Sequence, residues 1–212
     1  MELITIEEYT NIIKQNEHHL KNILDICLGF GNLLEGNCFY EHFNPSNRMK
    51  GLIPKQMNHF TLGKYHNNIM EIGFNAGHSV LLYLLSNPSS KITIFDIVEH
   101  HYVKPCYDYL NENFPNRLDF YEGDSTITVP EYHSNNPNNK FDLIHIDGSH
   151  QKDIANQDFY NCLKLAQKTI IWDDTQDKTL NELFMEYLQK NLITEIQMYK
   201  TYLYEHRIAT IV

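Results

Sequence analysis

The chain has 212 residues, a length that favours one domain with one well-buried core. Its 17 Lys and Arg residues against 27 Asp and Glu residues give a formal net charge of -10, which disfavours binding along a nucleic-acid backbone. No stretch reaches the roughly 18 apolar residues of a membrane-spanning helix, and no signal peptide is visible. Four cysteines without a CxxC pair are typical of reduced thiols. We therefore expect a cytoplasmic protein with neither a nucleic-acid nor a membrane partner.

The first 67 residues are predicted to form a cap of helical and irregular structure. Thr5 and Glu8 have the spacing of a capping box, and apolar residues recur after them at helical intervals: Ile12, Ile13, Leu20, Leu24 and Leu28. Between Gly29 and Asn67, glycines and prolines break the pattern, which predicts irregular structure with short helices. We expect residues 29–67 to cover the ligand pocket and to shape the part of it that selects the substrate.

Residues 68–212 alternate between short apolar runs and helical segments. The predicted strands are NIMEIGF, KITIFDI, LDFYEG, FDLIHID and KTIIWDD, with helices near 77–86, 103–114, 152–167 and 178–190. Two last runs, ITEIQMY and HRIATIV, are predicted to form an antiparallel C-terminal hairpin. Such alternation is typical of a parallel sheet with helices on both faces. The predicted fold is an α/β, doubly wound, mostly parallel seven-stranded sheet within a single domain, 1–212.

Acidic residues lie at or just after the ends of the first five predicted strands. They are Glu71, Asp96, Asp124, Asp147 and the pair Asp173 and Asp174. In an open α/β sheet, ligands bind in the crevice beyond the carboxyl ends of the strands. The sequence therefore predicts the functional site at this edge of the sheet.

The turn after the first strand reads EIGFNAG, from Glu71 to Gly77. Gly73 and Gly77 allow a tight turn and a close approach of the backbone to a ligand, and the helix that follows offers free N–H groups. The turn lacks the middle glycine of a dinucleotide fingerprint, so NAD is disfavoured. Glu71 favours a cationic or amine-bearing ligand. Asp96 is placed to accept hydrogen bonds from ribose hydroxyls.

Together, E-x-G-x-x-x-G, an aspartate ending the second strand, and G-D-S after the third resemble a class I S-adenosylmethionine-dependent methyltransferase with a Rossmann-like core over 68–212. The resemblance implies that Gly73, Asn75 and Gly77 border the methionine moiety, with Glu71 behind it. It implies that Asp96 binds the ribose, and that Asp124 and Ser125 face the adenine. Ser79 is expected either to reach the cofactor carboxylate or to bond backbone groups locally.

The fourth strand ends in Asp147-Gly-Ser-His150, unlike the N/D-P-P-Y/F/W turn of nucleic-acid amino-methyltransferases. With Asp173 and Asp174, this turn resembles the metal-dependent O-methyltransferases that act on sugar hydroxyls of macrolides, a group similar to cephalosporin-hydroxylase-like proteins. The resemblance implies Mg²⁺ or another divalent cation on Asp147, Asp173 and Asp174, with His150 as the general base. Because an aspartate stands where the family often has a longer glutamate, Asp173 is expected to be the least direct ligand.

Elementary chemistry supports the same assignment. Three converging carboxylates repel one another unless a cation lies between them, and a cation-bound hydroxyl gives its proton more readily to a histidine. The alternative is that Asp147 and the pair Asp173 and Asp174 only cap the helices that follow, with His150 on the surface.

The expected function is methyl transfer to a hydroxyl of a small molecule, and the expected acceptor is a glycoside or nucleotide sugar. Two other functions are left open: a catechol-type O-methyltransferase, and a cofactor-binding but inactive partner module. Assembly as a homo-oligomer is left open too.

Overall fold

The structure is a computed structural model that describes residues 1–31, 34, 36–41 and 44–212, with only the backbone of 44–46. Positions 32, 33, 35, 42 and 43, all within the segment predicted to be irregular, lie outside the described residues. Among the helices described, none combines the length and the apolar character needed to cross a membrane.

The N-terminal part begins with helices α1 (Ile6–Gln15) and α2 (Glu17–Gly29). The predicted capping box of α1 is confirmed, because the Thr5 side chain accepts from the Glu8 backbone N–H and the Glu8 side chain accepts from the Thr5 backbone N–H. Two short antiparallel strands follow, β1 (Tyr40–Glu41) and β2 (Asn44–Arg48), and then a 3₁₀ turn at Lys50–Leu52.

Helix α3 (Ile53–Tyr65) lies where the sequence predicted irregular structure with short helices. Pro54 stands in its first turn, a position at which proline is favoured because its missing N–H is not needed. Nine consecutive residues, 55–63, are buried, so polar residues lie inside as well as apolar ones. The sequence showed no apolar stripe here because this helix is covered on all sides.

The remaining helices and strands alternate as predicted. The strands are β3 (Asn68–Ile72), β4 (Lys91–Asp96), β5 (Leu118–Glu122), β6 (Phe141–Ile146), β7 (Ala166–Trp172), β8 (Ile193–Glu195) and β9 (Arg207–Ile211). The helices are α4 (His78–Ser86), α5 (Val103–Asn113), α6 (Ser125–Asn135), α7 (Lys152–Leu165) and α8 (Lys178–Gln189). Helix α6 was not predicted, because Pro130 inside it interrupts the helical pattern.

The seven strands form one sheet in the order β5-β4-β3-β6-β7-β9-β8. Strands β3 to β7 pair in parallel, and β9 pairs antiparallel with both β7 and β8. The predicted Rossmann-like sheet with an antiparallel C-terminal hairpin is confirmed, although β8 has only three residues. The strand order reverses between β3 and β6, which is where open α/β sheets bind their ligands.

Two hydrophobic clusters cover the two faces of the sheet. The first includes residues of α1 to α5, and the second includes residues of α6 to α8. Alternation along β3 and β6 turns Ile69 and Leu143 to the first face and Met70 and Ile144 to the second. The same alternation turns two polar residues, Glu71 and His145, to the first face, where they lie side by side in the strand register. An apolar layer therefore contains a buried ionisable pair directly beneath the site.

Candidate active site

A cavity of about 730 Å³ lies at the carboxyl ends of the central strands. Most of the residues predicted from the sequence line it: Gly73, Asn75, Ser79, Asp96, Asp124, Ser125, Asp147, His150, Asp173 and Asp174. We call residues 73–79 and 96–98 the glycine-turn side. We call Lys55, Asp147, His150, Asp173 and Asp174 the carboxylate side. Gly77 and Glu71 are not part of the cavity wall.

The two glycines of the turn are required by the packing of the protein itself. Gly73 has φ +90°, and a Cβ there would lie 1.9 Å from the carbonyl oxygen of Asp147. Gly77 has φ +77°, and its Cβ would lie 2.5 Å from the ring of Phe74. Both positions therefore exclude a side chain. Gly73 lets the turn after β3 cross the chain after β6, so its role is wider than the ligand approach that the sequence suggested.

The Asp96 carboxylate holds the glycine turn in shape. Its Oδ2 accepts from the backbone N–H groups of Phe74 (2.7 Å) and Asn75 (3.0 Å), and its Oδ1 accepts from that of Val98 (2.6 Å). Each carboxylate oxygen can accept more than one bond, so the predicted contact with a ribose hydroxyl remains compatible with this geometry.

Asn75, which has φ +51°, ties the turn to two other segments. Its amide donates to the carbonyl oxygen of Gly36 (2.7 Å), and its side-chain oxygen accepts from the Tyr102 hydroxyl (2.6 Å). Asn75 therefore links the start of α5 and the N-terminal part to the cavity wall, and its contact with the methionine moiety stays a prediction.

Asp124 and Ser125 lie at the start of α6. The Asp124 carboxylate caps this helix, accepting from the N–H (2.9 Å) and the hydroxyl (2.7 Å) of Thr126, and these bonds lower the pKa of Asp124. The adenine contact predicted for the two residues stays a prediction. Capping of α6 was not predicted, because the helix itself was not.

The carboxylate side continues inward as a buried chain of polar side chains. The Lys55 ammonium donates to Asp173 Oδ1 (2.6 Å), and the two ring nitrogens of His145 donate to Asp173 Oδ2 (3.1 Å) and Glu71 Oε1 (3.0 Å). The Ser79 hydroxyl donates to the same Glu71 oxygen. Ser79 therefore bonds a buried carboxylate rather than a backbone group, and its contact with the cofactor carboxylate stays a prediction. Glu71 is fully buried outside the cavity wall, and its Oε1 is paired with His145 and Ser79. Its place behind the methionine moiety stays a prediction.

The charges along this chain compensate one another. Burial opposes the charged form of His145, but its hydrogen bonds to Asp173 and Glu71 raise its pKa to about 10. Burial also opposes the charge of Asp173, yet Lys55 and His145 hold the pKa of this carboxyl well below its ordinary value. For Lys55, attraction to Asp173, Asp147 and Asp174 outweighs burial and raises the pKa. At neutral pH the two basic residues are therefore protonated.

Asp147 behaves differently from Asp173. Burial and the neighbouring carboxylates of Asp173 and Asp174 raise the pKa of Asp147 well above its ordinary value, and Lys55 and His145 offset this only in part. Asp147 does not cap the next helix, because the residue at the N-cap of α7 is Gln151. The capping alternative is wrong for Asp173 and Asp174 as well, since Asp177 caps α8.

His150 is half-exposed at the mouth of the carboxylate side. Its Nε2 donates to Asp174 Oδ2 (3.0 Å), and this hydrogen bond, with the charge of Asp174, raises the pKa of His150. Asp174 is itself fixed by a backbone φ of +53° and by Gln176, whose amide donates to its Oδ1 (3.0 Å). The other ring nitrogen, Nδ1, lies 3.9 Å from Asp177 Oδ2, which is beyond hydrogen-bond distance. A histidine oriented by one carboxylate in this way is a candidate general base.

The predicted divalent cation requires carboxylate oxygens that are free to bind it. At Asp173 both oxygens are already engaged by positively charged groups: Oδ1 accepts from Lys55 and from the Asp174 backbone N–H (2.8 Å), and Oδ2 accepts from His145. Ligand atoms of His59, His145 and Asp173 also lie within 4.8 Å of one another, but both ring nitrogens of His145 already donate to carboxylates. A divalent cation at Asp173 would therefore lie beside the positive charges of Lys55 and His145, which disfavours it there. Binding of a metal by Asp147, Asp173 and Asp174 stays a prediction.

Lys55, His59 and His145 were missed by the sequence analysis. Lys55 and His59 are four residues apart after Pro54, a spacing that places both on one face of a helix. His145 interrupts the apolar run FDLIHID at a position that alternation turns inward. A polar residue at a buried strand position is an informative signal, because burial of such a group requires a partner.

Comparisons with known proteins identify the family and the fold of the chain. A family model described as a methyltransferase domain matches residues 70–175, which is half of the chain. A search of curated proteins finds no match.

Solved structures share the fold at low sequence identity. An O-methyltransferase from Bacillus cereus, in complex with SAH, superposes with a TM-score of 0.65 at 16% identity, covering 92% of this chain and 90% of that one. The O-methyltransferase TomG from Streptomyces achromogenes, involved in tomaymycin synthesis and in complex with SAM, gives 0.64 at 16% identity, covering 92% and 89%. A putative caffeoyl-CoA O-methyltransferase from Staphylococcus aureus gives 0.62 at 13% identity, covering 95% and 97%. The chain belongs to the methyltransferase domain family and is a class I S-adenosylmethionine-dependent methyltransferase.

Proposed function

We propose that the protein transfers the methyl group of S-adenosylmethionine to a hydroxyl of a small polar molecule, with His150 as the general base. The observation that carries this proposal is the hydrogen bond between His150 and Asp174, which lies in the same cavity as the glycine turn. Bound at that turn, S-adenosylmethionine would supply a methyl group on a positively charged sulfur. The side chains of the protein would orient the acceptor hydroxyl and remove its proton.

His150 acts on the acceptor hydroxyl. Asp174 fixes one ring nitrogen as a donor, which leaves the lone pair of the other nitrogen in the neutral form of His150 to take the hydroxyl proton. The hydroxyl oxygen then forms the new bond to the methyl carbon, the carbon–sulfur bond breaks, and its electron pair remains on sulfur. The proton leaves His150 to water when the product departs. Charge and atoms balance without a further reactant.

We place the acceptor among glycosides, nucleotide sugars and other small polar metabolites. Support comes from the polar lining at the carboxylate side, where Asp147, Ser149, His150, Asp174 and Gln176 face the cavity. Hydroxyl-rich molecules satisfy such groups with hydrogen bonds, which an apolar acceptor leaves unpaired. The catechol-type alternative finds support in the fold likeness to a putative caffeoyl-CoA O-methyltransferase.

Magnesium on Asp147, Asp173 and Asp174 would lower the pKa of the same hydroxyl. No step of this proposal passes through a metal, because Lys55 and His145 engage Asp173.

We further propose that residues 1–67 form the cap and 68–212 the core of one cytoplasmic domain. The single domain is supported by the ion pair between Lys55 of α3, in the cap, and Asp173 after β7, in the core. The cytoplasmic location is supported by the cysteines, all of which are free and buried: Cys27, Cys38, Cys106 and Cys162.

The test is methyl transfer from S-adenosylmethionine labelled in its methyl group to panels of glycosides, nucleotide sugars and catechols. We expect label on a hydroxyl of the first two classes, and loss of that transfer in His150→Gln. Transfer to catechols that survives His150→Gln would support the catechol-type alternative. Binding of the cofactor without transfer to any hydroxyl would contradict the proposed function and leave an inactive module.

A further inference from the structure

Helix α3 places a lysine where the carboxylate side was expected to need a metal. Lys55 is 5% exposed, and its ammonium lies 2.6 Å from Asp173 Oδ1 across a separation of 118 residues in the chain. Its side chain also lines the cavity together with Asp147 and Asp174. The position is enforced by the fold, because residues 55–63 of this helix are all buried.

A buried ammonium is costly unless carboxylates compensate its charge, and buried carboxylates are costly unless a positive charge compensates them. Three carboxylates meet at the carboxylate side, and the repulsion between them was the physical reason to expect a divalent cation. Lys55 supplies positive charge at that place from the chain itself. His145 supplies a second positive charge on the far side of Asp173, at 3.1 Å from its Oδ2.

We propose that Lys55 replaces the divalent cation in this pocket, so that methyl transfer proceeds without a metal. Lys55 is a positioning residue: it engages Asp173, offsets the carboxylates that face the acceptor, and leaves Asp174 to orient His150. The proposal rests on the proposed function for its activity arm only. Metal binding can be measured without any acceptor.

The main experiment is a Mn²⁺ titration followed by electron paramagnetic resonance, with and without S-adenosylmethionine. We expect the wild-type protein to leave Mn²⁺ free at millimolar concentration, because an ammonium and a metal ion compete for the same carboxylates. Lys55→Met keeps the length of the side chain and removes the charge, so it should bind Mn²⁺ at least about tenfold more tightly. Lys55→Arg, which keeps the charge, should behave like the wild type. Lys64→Met is the matched control, since Lys64 lies exposed on the same helix.

The activity arm uses the acceptor found in the labelling experiment. Wild-type turnover should be unchanged by excess chelator, whereas Lys55→Met should lose turnover about tenfold or more and regain part of it with added Mn²⁺ or Mg²⁺. A lysine with a merely structural role would not produce metal dependence. Circular dichroism and cofactor affinity show whether Lys55→Met has folded.

Two results would overturn the proposal: Mn²⁺ binding by the wild type that Asp147→Asn or Asp174→Asn abolishes, or loss of wild-type turnover in chelator. Neither result needs the Lys55→Met protein, so the proposal can be refuted even if that variant does not fold. If no acceptor is methylated under any condition, the proposed function fails, and the Mn²⁺ titration still decides the role of Lys55.

Discussion

On the glycine-turn side of the cavity, hydrogen bonds from backbone N–H groups hold the structure together, and the residues involved are close in sequence. Phe74, Asn75 and Asp96 lie within 23 positions of one another, and the backbone N–H groups of Phe74 and Asn75 donate to the Asp96 carboxylate. On the carboxylate side, side chains from α3, the segment after β6 and the segment after β7 meet, and Lys55 and Asp173 are 118 residues apart. Local backbone geometry leaves a motif in the sequence, whereas long-range pairing of side chains leaves none.

The two sides nevertheless meet at Gly73, whose backbone packs against the backbone of Asp147. We expect a substitution that disrupts this contact to have the largest effect on stability and activity. Gly73→Ala brings a Cβ to 1.9 Å from the Asp147 carbonyl oxygen at a φ of +90°. We expect the free energy of unfolding to fall by about 3 kcal/mol or more, with loss of both cofactor binding and activity. Urea unfolding measures it.

Gly29→Ala is the control, since nothing lies within 4 Å of its Cβ and its φ is not in the left-handed region. Its effect should stay within about 1 kcal/mol. A Gly73→Ala protein as stable as this control would show that the two sides are independent.

The second prediction separates chemistry on the carboxylate side from cofactor binding on the other. His150→Gln should lower turnover by about 10² to 10⁴ and leave cofactor affinity unchanged. In the wild type, turnover should rise with pH, because only neutral His150 accepts the proton. Since the hydrogen bond to Asp174 raises the pKa of His150, the rise should lie above the ordinary histidine range.

Asp174→Asn removes the charge that raises this pKa and should move the rise to lower pH. His101→Gln changes an exposed histidine and should alter neither rate nor profile. An unchanged pH profile in a folded His150→Gln protein would show that a group other than His150 removes the proton.

The third prediction concerns Asp158 of α7, a fully buried carboxyl beneath Gly148 on the carboxylate side. Neither of its oxygens has a hydrogen-bond partner among the described residues within bonding geometry. Burial raises the pKa of Asp158 to about 6, and the Ser125 hydroxyl nearby offsets this only in part. The folded state therefore binds the proton more tightly than the unfolded state, and stability falls as pH rises from about 4 to 6.

Asp158→Asn removes this charge and should stabilise the protein by about 1–3 kcal/mol at about pH 7.5, and by less at about pH 4. Urea unfolding at both pH values measures the difference. Asp119→Asn, an exposed aspartate on β5, should show no such pH-dependent gain. Equal effects at both pH values would mean that Asp158 is uncharged throughout.

Sequence reasoning reached the sheet and the glycine-turn side because both have local signals. Alternation gave β3 to β7, and Gly73 with Asp96 gave the turn. It failed for α3, where burial on all sides removed the apolar stripe, and for α6, where Pro130 interrupts the pattern. It placed Asp173 correctly at the cavity but could not see Lys55, because charge compensation between distant segments depends on the tertiary fold. For the same reason, the sequence indicated only a divalent cation as the positive charge among these carboxylates.

The smallest expected effect tests whether the glycine-turn side depends on side-chain bonds at all. Tyr102 is buried on the first face of the sheet, and its hydroxyl donates to Asn75 Oδ1 (2.6 Å). Tyr102→Phe removes this bond and keeps the ring, so the free energy of unfolding should fall by only about 0.5–1.5 kcal/mol. Cofactor affinity should fall less than about tenfold, because the Asn75 amide still donates to the Gly36 carbonyl oxygen and its backbone N–H to Asp96. Isothermal calorimetry with S-adenosylmethionine measures the affinity, and Tyr65→Phe, on an exposed tyrosine, is the control. A loss of affinity as large as that in Gly73→Ala would show that the turn is held by its side chains rather than by its backbone.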